Sequence, residues 1–292
     1  MHSDPAAVAA DLEAWCRPGG ILDKDGPSAS IHLFDPVARR RTRDAIVDAY
    51  LAEQTDVGIG HQFLALATAG PPGVGKSSSI DRRHLAGQGW RVLDADTIKD
   101  HLLRDAIEQG IYTDLLNIDL ADGHRLMPRE LATLVHTEST KLLDIITEIC
   151  LSRGENLVLE GTFSWPGLGP RLTDLAYAEY EKFTMLDVEA PQHITRARAL
   201  TRWWRGRQEA LRGGDGFGGR FTPGFVIDAL FTGSSEETVC ARNARAAFDH
   251  PLAAEIPTVE LLVENVDGGD ETWVKENGVV VYPQVPADRP EP

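Results

Sequence analysis

Cysteine is scarce in this sequence of 292 residues, where Cys16, Cys150 and Cys240 stand far apart. An odd number at such separations predicts neither a disulfide framework nor a cysteine-based zinc site, and it is typical of a reducing compartment. The 9 histidines do not show the H-E-x-x-H spacing or another metal-ligand pattern. We therefore expect a cytoplasmic protein whose histidines are surface or core residues.

Long apolar runs are absent as well, since no stretch of eighteen apolar residues occurs in the chain. Near the N-terminus, Asp4, Asp11 and Glu13 interrupt the alanines, and no basic start precedes an apolar core. The sequence predicts neither a membrane partner nor an export signal.

Positive charge is outweighed by negative charge, because 29 Lys and Arg stand against 45 Asp and Glu, giving a formal net charge of −16. Nucleic acids bind to cationic surfaces, so we expect no nucleic-acid partner, whereas a small nucleotide needs only a local cationic pocket. One basic cluster occurs, and we interpret it as a solvated face or as a partner of acidic groups in the same chain. It consists of Arg39, Arg40, Arg41 and Arg43.

The sequence does contain a phosphate-binding loop pattern. Residues 70–77 match G-x-x-x-x-G-K-[ST] at every specified position and follow the apolar run 63–67. In such a loop, glycines let backbone N–H groups curl round phosphate oxygens at the N-terminus of the next helix. Lys76 would contact the β- and γ-phosphates of ATP, and the Ser77 hydroxyl would bind the Mg²⁺ that bridges them. The predicted nucleotide-binding residues are Gly70, Pro71, Pro72, Gly73, Val74, Gly75, Lys76, Ser77 and Ser78.

The order of elements around this loop predicts the α/β class. Strand, helix and strand follow one another, as a parallel sheet with crossover connections requires. We expect the three-layer sandwich of a P-loop NTPase, with a central, mostly parallel sheet and flanking helices. Predicted strands cover residues 62–69, 90–93, 156–159, 182–188, 259–263, 273–274 and 279–282, and the longest predicted helix covers 128–151. We divide the chain into an N-terminal helical arm (1–55), a P-loop domain (56–250) and a partly disordered C-terminal extension (251–292).

Polar residues follow two of the predicted strands. Asp94-Ala95-Asp96 and Glu160-Gly161-Thr162 come at strand carboxyl ends, where ligands of open parallel sheets bind. A carboxylate there can hold magnesium or accept a proton from an attacking hydroxyl. For Asp96, the alternative is that it caps the helix that follows.

Arginines on two later segments fit the needs of phosphoryl transfer, in which negative charge spreads over the equatorial oxygens. Arg202 lies on a predicted helix, and Arg220 directly follows a glycine-rich stretch, residues 212–219. That stretch can be a mobile segment over the site or an unstructured surface insertion. Most arginines on such a helix are solvated or paired, so the spacing alone does not select the acting ones.

These motifs together resemble the zeta toxin family of P-loop kinases, the toxin half of toxin–antitoxin pairs. The matching segments lie between about residues 60 and 250: the phosphate loop, residues 92–99, Glu138-Ser139, residues 156–162 and residues 219–223. The Leu-Glu-Gly-Thr element combined with Asp-x-Asp is more discriminating than the loop itself.

The resemblance implies ATP-dependent phosphorylation of a sugar hydroxyl, first of all the 3′-hydroxyl on the N-acetylglucosamine moiety of UDP-N-acetylglucosamine. It implies a small helical antitoxin as a partner, and it assigns roles to particular side chains. Asp96 would be the catalytic base, Lys76 and Ser77 would bind ATP phosphates and magnesium, and Arg202 and Arg220 would stabilise the transferring group, with Arg198 and Arg205 close to Arg202. The acceptor would contact Glu138, Glu160 and Thr162.

The sequence departs from the family pattern near the expected acceptor pocket. It has His101-Leu102 where the family commonly has His-Pro, and it carries the glycine-rich stretch and an acidic C-terminal extension. The alternatives are therefore a kinase of another small acceptor, such as a nucleoside, a dinucleotide or an antibiotic, and a nucleotide-binding regulatory module that acts through a protein partner.

Overall fold

The computed structural model describes residues 4–54, 58–165, 169–232 and 237–283. The chain divides into two compact units: Met1–Gln54, Asp94–Ile146 and Gln192–Ala229 form the first, and Thr55–Leu93, Thr147–Pro191 and Leu230–Pro292 form the second. The predicted arm thus shares its unit with later segments, and the predicted C-terminal extension shares its unit with the phosphate loop. The disorder expected at the C-terminal end concerns residues 284–292, which lie outside the described residues.

The second unit is built on a seven-stranded sheet in the order β2-β3-β1-β4-β5-β6-β7. The first five strands of that order pair in parallel, and β6 and β7 continue the sheet antiparallel. The strands are β1 (Leu64–Ala69), β2 (Arg91–Leu93), β3 (Leu157–Leu159), β4 (Lys182–Glu189), β5 (Thr258–Asn265), β6 (Glu271–Glu276) and β7 (Val279–Tyr282). The predicted α/β class with a mostly parallel central sheet is confirmed.

β1 and β4 lie in the middle of this sheet, where strands are covered on both faces and are buried without alternation. Both strands are buried along nearly their whole length, and Ala69 lies opposite Asp187 where they end. Two helices pack on the sheet, α4 (Lys76–Arg83) and α11 (Val239–Asp249). This unit also contains α8 (Gly169–Tyr177) and a 3₁₀ turn, Pro251–Glu255.

The first unit is helical. Its helices are α1 (Pro5–Trp15), α2 (Ser30–Leu33), α3 (Pro36–Ala52), α5 (Ala95–Glu108), α6 (Thr113–Leu116), α9 (Gln192–Leu211) and α10 (Gly224–Asp228), with a 3₁₀ turn at Pro128–Leu131; α7 (His136–Ser152) begins here and ends in the second unit. Side-chain caps fix several of these starts: Asp35 accepts from the N–H groups of Val37 and Ala38, and Asp94 accepts from that of Asp96.

The helix predicted over residues 128–151 is wrong as a single element. It is interrupted between the 3₁₀ turn and α7, because partners remote in sequence engage this part of the backbone. Ser30 N–H donates to the Leu134 carbonyl at 2.8 Å, and the Thr133 hydroxyl donates to the Leu22 carbonyl at 2.8 Å. Leu131, Leu134 and Val135 remain buried as the periodicity predicted.

The basic cluster on α3 is partly internal. Arg39 is 2 % exposed and lies over the Phe34 ring, with its guanidinium carbon 3.8 Å from the ring centroid. It pairs with Asp105 and Glu138. The interpretation as a partner of acidic groups therefore holds for Arg39. Among the described residues, no helix is long and apolar enough to cross a bilayer.

Candidate active site

The phosphate loop lies between β1 and α4, and its glycines have the backbone conformation that the loop requires. Gly70, Gly73 and Gly75 have φ values of +119°, +86° and +114°, which side-chain-bearing residues rarely adopt. At Gly70 a Cβ would also lie 2.3 Å from the Val188 carbonyl oxygen. A Cβ at Gly75 would meet nothing within 4 Å, so the loop is open at that residue.

The lysine of the loop folds back on it. Lys76 Nζ donates to the carbonyls of Gly70 at 2.8 Å and Pro71 at 3.1 Å. No side chain caps the N-terminus of α4, whose cap residue is Gly75. Helix N-termini carry partial positive charge and backbone donors, so this terminus and Lys76 together suit a phosphate group.

The polar segment after β3 lies against this loop. The Ser77 hydroxyl donates to Glu160 Oε1 at 3.3 Å, and Gly70 N–H donates to the Thr162 carbonyl at 3.1 Å. The Thr68 hydroxyl bonds both the N–H and the carbonyl of Gly161 at 3.0 Å. The structure therefore brings Lys76, Ser77, Glu160 and Thr162 together within the second unit.

The Ser77–Glu160 pair also fits a magnesium ion. Mg²⁺ prefers oxygen ligands and commonly takes one or two from protein, with water and substrate phosphates completing the shell. In the described part of the chain no three His, Cys, Asp or Glu side chains form a metal-binding group. A hydroxyl and a carboxylate beside a phosphate loop therefore suit a phosphate-bound ion better than a dedicated metal centre.

The first unit holds a second set of charged residues around Asp96, in the first turn of α5. Lys99 Nζ donates to Asp96 Oδ1 at 2.8 Å, and an Arg220 guanidinium nitrogen lies 3.4 Å from Asp96 Oδ2. Burial alone would raise the pKa of the Asp96 carboxyl, but Lys99, Arg220 and Arg202 outweigh burial and hold that pKa below its ordinary value. Asp96 is thus an ionised carboxylate whose side chain is still 38 % exposed.

The arginines on α9 differ in their surroundings. Arg202 is the one whose charge contributes to the lowered pKa of Asp96. Arg205 instead pairs with Glu209 across one helical turn, at 3.6 Å, and its side chain is 75 % exposed. These surroundings favour Arg202 over Arg205 as the arginine that acts together with Asp96. The catalytic role of Arg202 stays a prediction.

A residue that binds an acceptor needs a side chain that the acceptor can reach, and Glu138 lacks this accessibility. Its side chain is fully buried, and Oε1 accepts from the Nε atoms of Arg39 at 3.0 Å and Arg43 at 2.9 Å. Both arginines belong to α3, so Glu138 links α3 to α7. Its role in acceptor binding stays a prediction that would require α3 to expose it.

Sequence analysis missed several residues that contact the predicted ones. Lys99 and Asp100 follow Asp96 by three and four positions, a helical spacing that could have indicated both. Asp100 accepts from Arg220 at 2.6 Å. No local pattern indicates Arg129, which donates to the same Asp100 carboxylate at 2.9 Å.

A buried acid pair lies at the end of β4. Burial, followed by the negative charges of Glu189 and Glu237, raises the pKa of Asp187 to about 8. Glu189 accepts from the Thr238 hydroxyl at 2.7 Å, and burial raises its pKa as well. Burial and these charges therefore favour the protonated form of Asp187, which pairs in register with Ala69, the residue that precedes the phosphate loop.

The fold of the chain is similar to that of solved structures, although its sequence identity to them is low. No family model matches the sequence, and no curated protein matches it. Among solved structures, the chain is similar to the AvrRxo1-ORF1:AvrRxo1-ORF2 crystal structure with sulphate ions, with a TM-score of 0.51 and 15% identity over 89% of this chain and 72% of that one. A structure of the PezAT chromosomal toxin–antitoxin system of the human pathogen Streptococcus pneumoniae gives a TM-score of 0.51 and 15% identity over 80% of each chain. The fold that the resemblance to zeta toxins implied is thus confirmed.

Proposed function

We propose that the protein is an ATP-dependent small-molecule kinase of zeta toxin type. The observation that carries the proposal is the phosphate loop, with Lys76 folded onto it and Ser77 bonded to Glu160. ATP would supply the phosphoryl group, and Mg²⁺ held by Ser77 would neutralise charge on its β- and γ-oxygens.

The residues around Asp96 supply the second half of the proposal. The acceptor hydroxyl oxygen would form a bond to the γ-phosphorus as the bond to the β–γ bridging oxygen breaks and ADP leaves. The hydroxyl proton would pass to the Asp96 carboxylate, which is ionised because Lys99 and Arg220 adjoin it. Arg220, with Arg202, would compensate the charge that develops on the transferring group.

The first-choice acceptor is UDP-N-acetylglucosamine, phosphorylated on the 3′-hydroxyl of its N-acetylglucosamine moiety. Support for it comes from the Glu160-Gly161-Thr162 segment, which adjoins the phosphate loop through the Gly70–Thr162 and Ser77–Glu160 bonds. Glu160 and Thr162 are the proposed acceptor contacts in that segment, with Glu138 as a further one.

The test is incubation with ATP, magnesium and a panel of sugar nucleotides, nucleosides, dinucleotides and antibiotics, read by mass spectrometry. The proposal expects UDP-N-acetylglucosamine to gain one phosphoryl group. Phosphorylation of a different panel member would retain the kinase and change the acceptor. ATP turnover that no acceptor alters would favour a regulatory module instead.

We propose in addition a small helical antitoxin as protein partner. The PezAT structure is that of a toxin–antitoxin system, and the AvrRxo1 structure pairs two gene products. Co-expression with the neighbouring small open reading frame tests this proposal: co-purification and suppression of toxicity support it, and a non-toxic chain that purifies alone contradicts it.

A further inference from the structure

The glycine-rich loop between α9 and α10 is held in place by hydrogen bonds and an ion pair. From the sequence alone, it is predicted to be a mobile segment or a surface insertion. The Arg129 backbone N–H donates to the Phe217 carbonyl at 3.0 Å, and its guanidinium donates to the Gly218 carbonyl at 3.0 Å. The same guanidinium pairs with Asp215 at 2.5 Å. Arg129 thus bonds to three residues of the loop, Asp215, Phe217 and Gly218.

The chain packs closely where the loop is held. Gly218 has a φ of +78°, and a Cβ there would lie 2.5 Å from Met127 Sδ, so only glycine fits. The guanidinium carbons of Arg104 and Arg129 each lie 5.5 Å from the centroid of the Phe217 ring. The loop therefore has an aromatic anchor as well as a hydrogen-bonded one.

Arg129 also reaches Arg220 through a shared carboxylate. Asp100 accepts from Arg129 in a bidentate arrangement, with nitrogen–oxygen distances of 2.9 to 3.2 Å, and its Oδ1 accepts from Arg220 at 2.6 Å. Arg220 in turn donates to the Asp96 carbonyl at 2.9 Å. Bidentate guanidinium–carboxylate pairs fix orientation as well as distance. The position of Arg220 beside Asp96 therefore depends on Asp100, and that of Asp100 on Arg129.

We propose that Arg129 is a positioning residue, which holds the Arg220 guanidinium beside Asp96 by orienting Asp100 and fastening the loop that leads to Arg220. The proposal rests on the proposed function for the role of Arg220. Within the described part of the first unit, Arg129 bonds to Asp100 and the loop and makes no hydrogen bond or ion pair with Asp96.

The experiment compares Arg129→Ala, Arg129→Lys and Asp215→Asn in the full chain. Arg171→Ala on α8 is the matched control, because Arg171 is also partly buried and pairs with an acid, Asp174 at 3.7 Å. The readouts are kcat and KM for phosphoryl transfer, ATP affinity, and hydrogen–deuterium exchange of the peptide 212–222.

Arg129→Ala is expected to lower kcat by about 10- to 100-fold with KM for ATP within about twofold, because ground-state binding of ATP does not use Arg220. Arg129→Lys keeps the charge and loses the bidentate fork, so kcat recovers only in part. Exchange of residues 212–222 should rise in Arg129→Ala and to a smaller extent in Asp215→Asn, and Arg171→Ala should leave every readout unchanged.

A double variant separates positioning from a general loss of structure. If Arg129 acts through Arg220, then Arg129→Ala combined with Arg220→Ala is no slower than Arg220→Ala alone. Additive losses would overturn the proposal, and so would unchanged exchange in residues 212–222. If the wild-type protein phosphorylates no acceptor, the proposed function fails, whereas the exchange experiment still decides whether Arg129 and Asp215 hold the loop.

Discussion

At the scale of single residues, Lys76 and Asp96 differ in what surrounds their charges. Lys76 donates to two loop carbonyls that a phosphate would replace as partners. Asp96 has two cationic side chains beside it and is ionised before any substrate arrives. The motifs predict these residue types. They do not predict that Arg220 lies beside Asp96, because the two residues are 124 positions apart in the sequence.

We predict that Lys76→Ala weakens ATP binding by about 10- to 100-fold, the range that loss of one or two charge-assisted hydrogen bonds gives. Folding stability should change by less than ~1 kcal/mol, since the bonds lost in the free protein are partly exposed. Calorimetric titration and urea unfolding measure the two effects. Lys182→Ala, which removes an ion pair with Glu260 on the neighbouring strand, is the control and should bind ATP normally.

The buried acid pair predicts a dependence of stability on pH. The pKa of Asp187 is raised to about 8 in the folded chain, so the folded state retains a proton that the unfolded state loses near pH ~4. The stabilisation is full below the unfolded-state pKa and is lost as the pH rises through the folded-state pKa.

We therefore expect Asp187→Asn, which is neutral at every pH, to gain about 3–4 kcal/mol of stability relative to wild type between pH 5 and pH 9. Urea unfolding at the two pH values measures the gain. Asp174→Asn, at an exposed position of α8, should keep a constant difference from wild type. A parallel course for Asp187→Asn would show that Asp187 does not carry the proton.

At the scale of elements, the sheet and most helices were predictable because apolar residues are concentrated in the strands and several helices have a side-chain cap or a periodic apolar stripe. β1, β4 and β5 follow their predicted positions within two residues. The interruption before α7 was not predictable, because Ser30, which bonds the Leu134 carbonyl, and Leu22, which bonds the Thr133 hydroxyl, lie more than a hundred positions away. The bonds between Arg129 and the glycine-rich loop could not be predicted either, because these residues are also far apart in the sequence.

The phosphate loop allows a prediction at the level of this element. Gly70→Ala should destabilise the fold by more than ~3 kcal/mol, because a positive φ and a contact with the Val188 carbonyl act together. Gly268→Ala shares the positive φ, +98°, but would meet nothing within 4 Å, so strain alone should cost about 1 kcal/mol. Thermal unfolding of the two variants compares them, and equal losses would contradict the close packing at Gly70.

At the scale of the whole molecule, the composition could not show how the chain divides into units. The two compact units each draw on three separate stretches, and such interleaving leaves no composition change or linker to find in the sequence. The burial of Glu138 could not be predicted either, because Arg39 and Arg43 of α3, which pair with it, lie far from it in the sequence.

We propose that ATP bound at the phosphate loop phosphorylates a hydroxyl whose proton passes to Asp96. The most direct measurement is the ratio of ADP to phosphorylated acceptor for wild type and Asp96→Asn, with ATP affinity measured alongside. We expect a ratio of one for the wild-type protein. For Asp96→Asn, we expect near-normal ATP affinity and at least about 100-fold less phosphorylated acceptor. Release of inorganic phosphate whatever the acceptor, or undiminished product from Asp96→Asn, would contradict it.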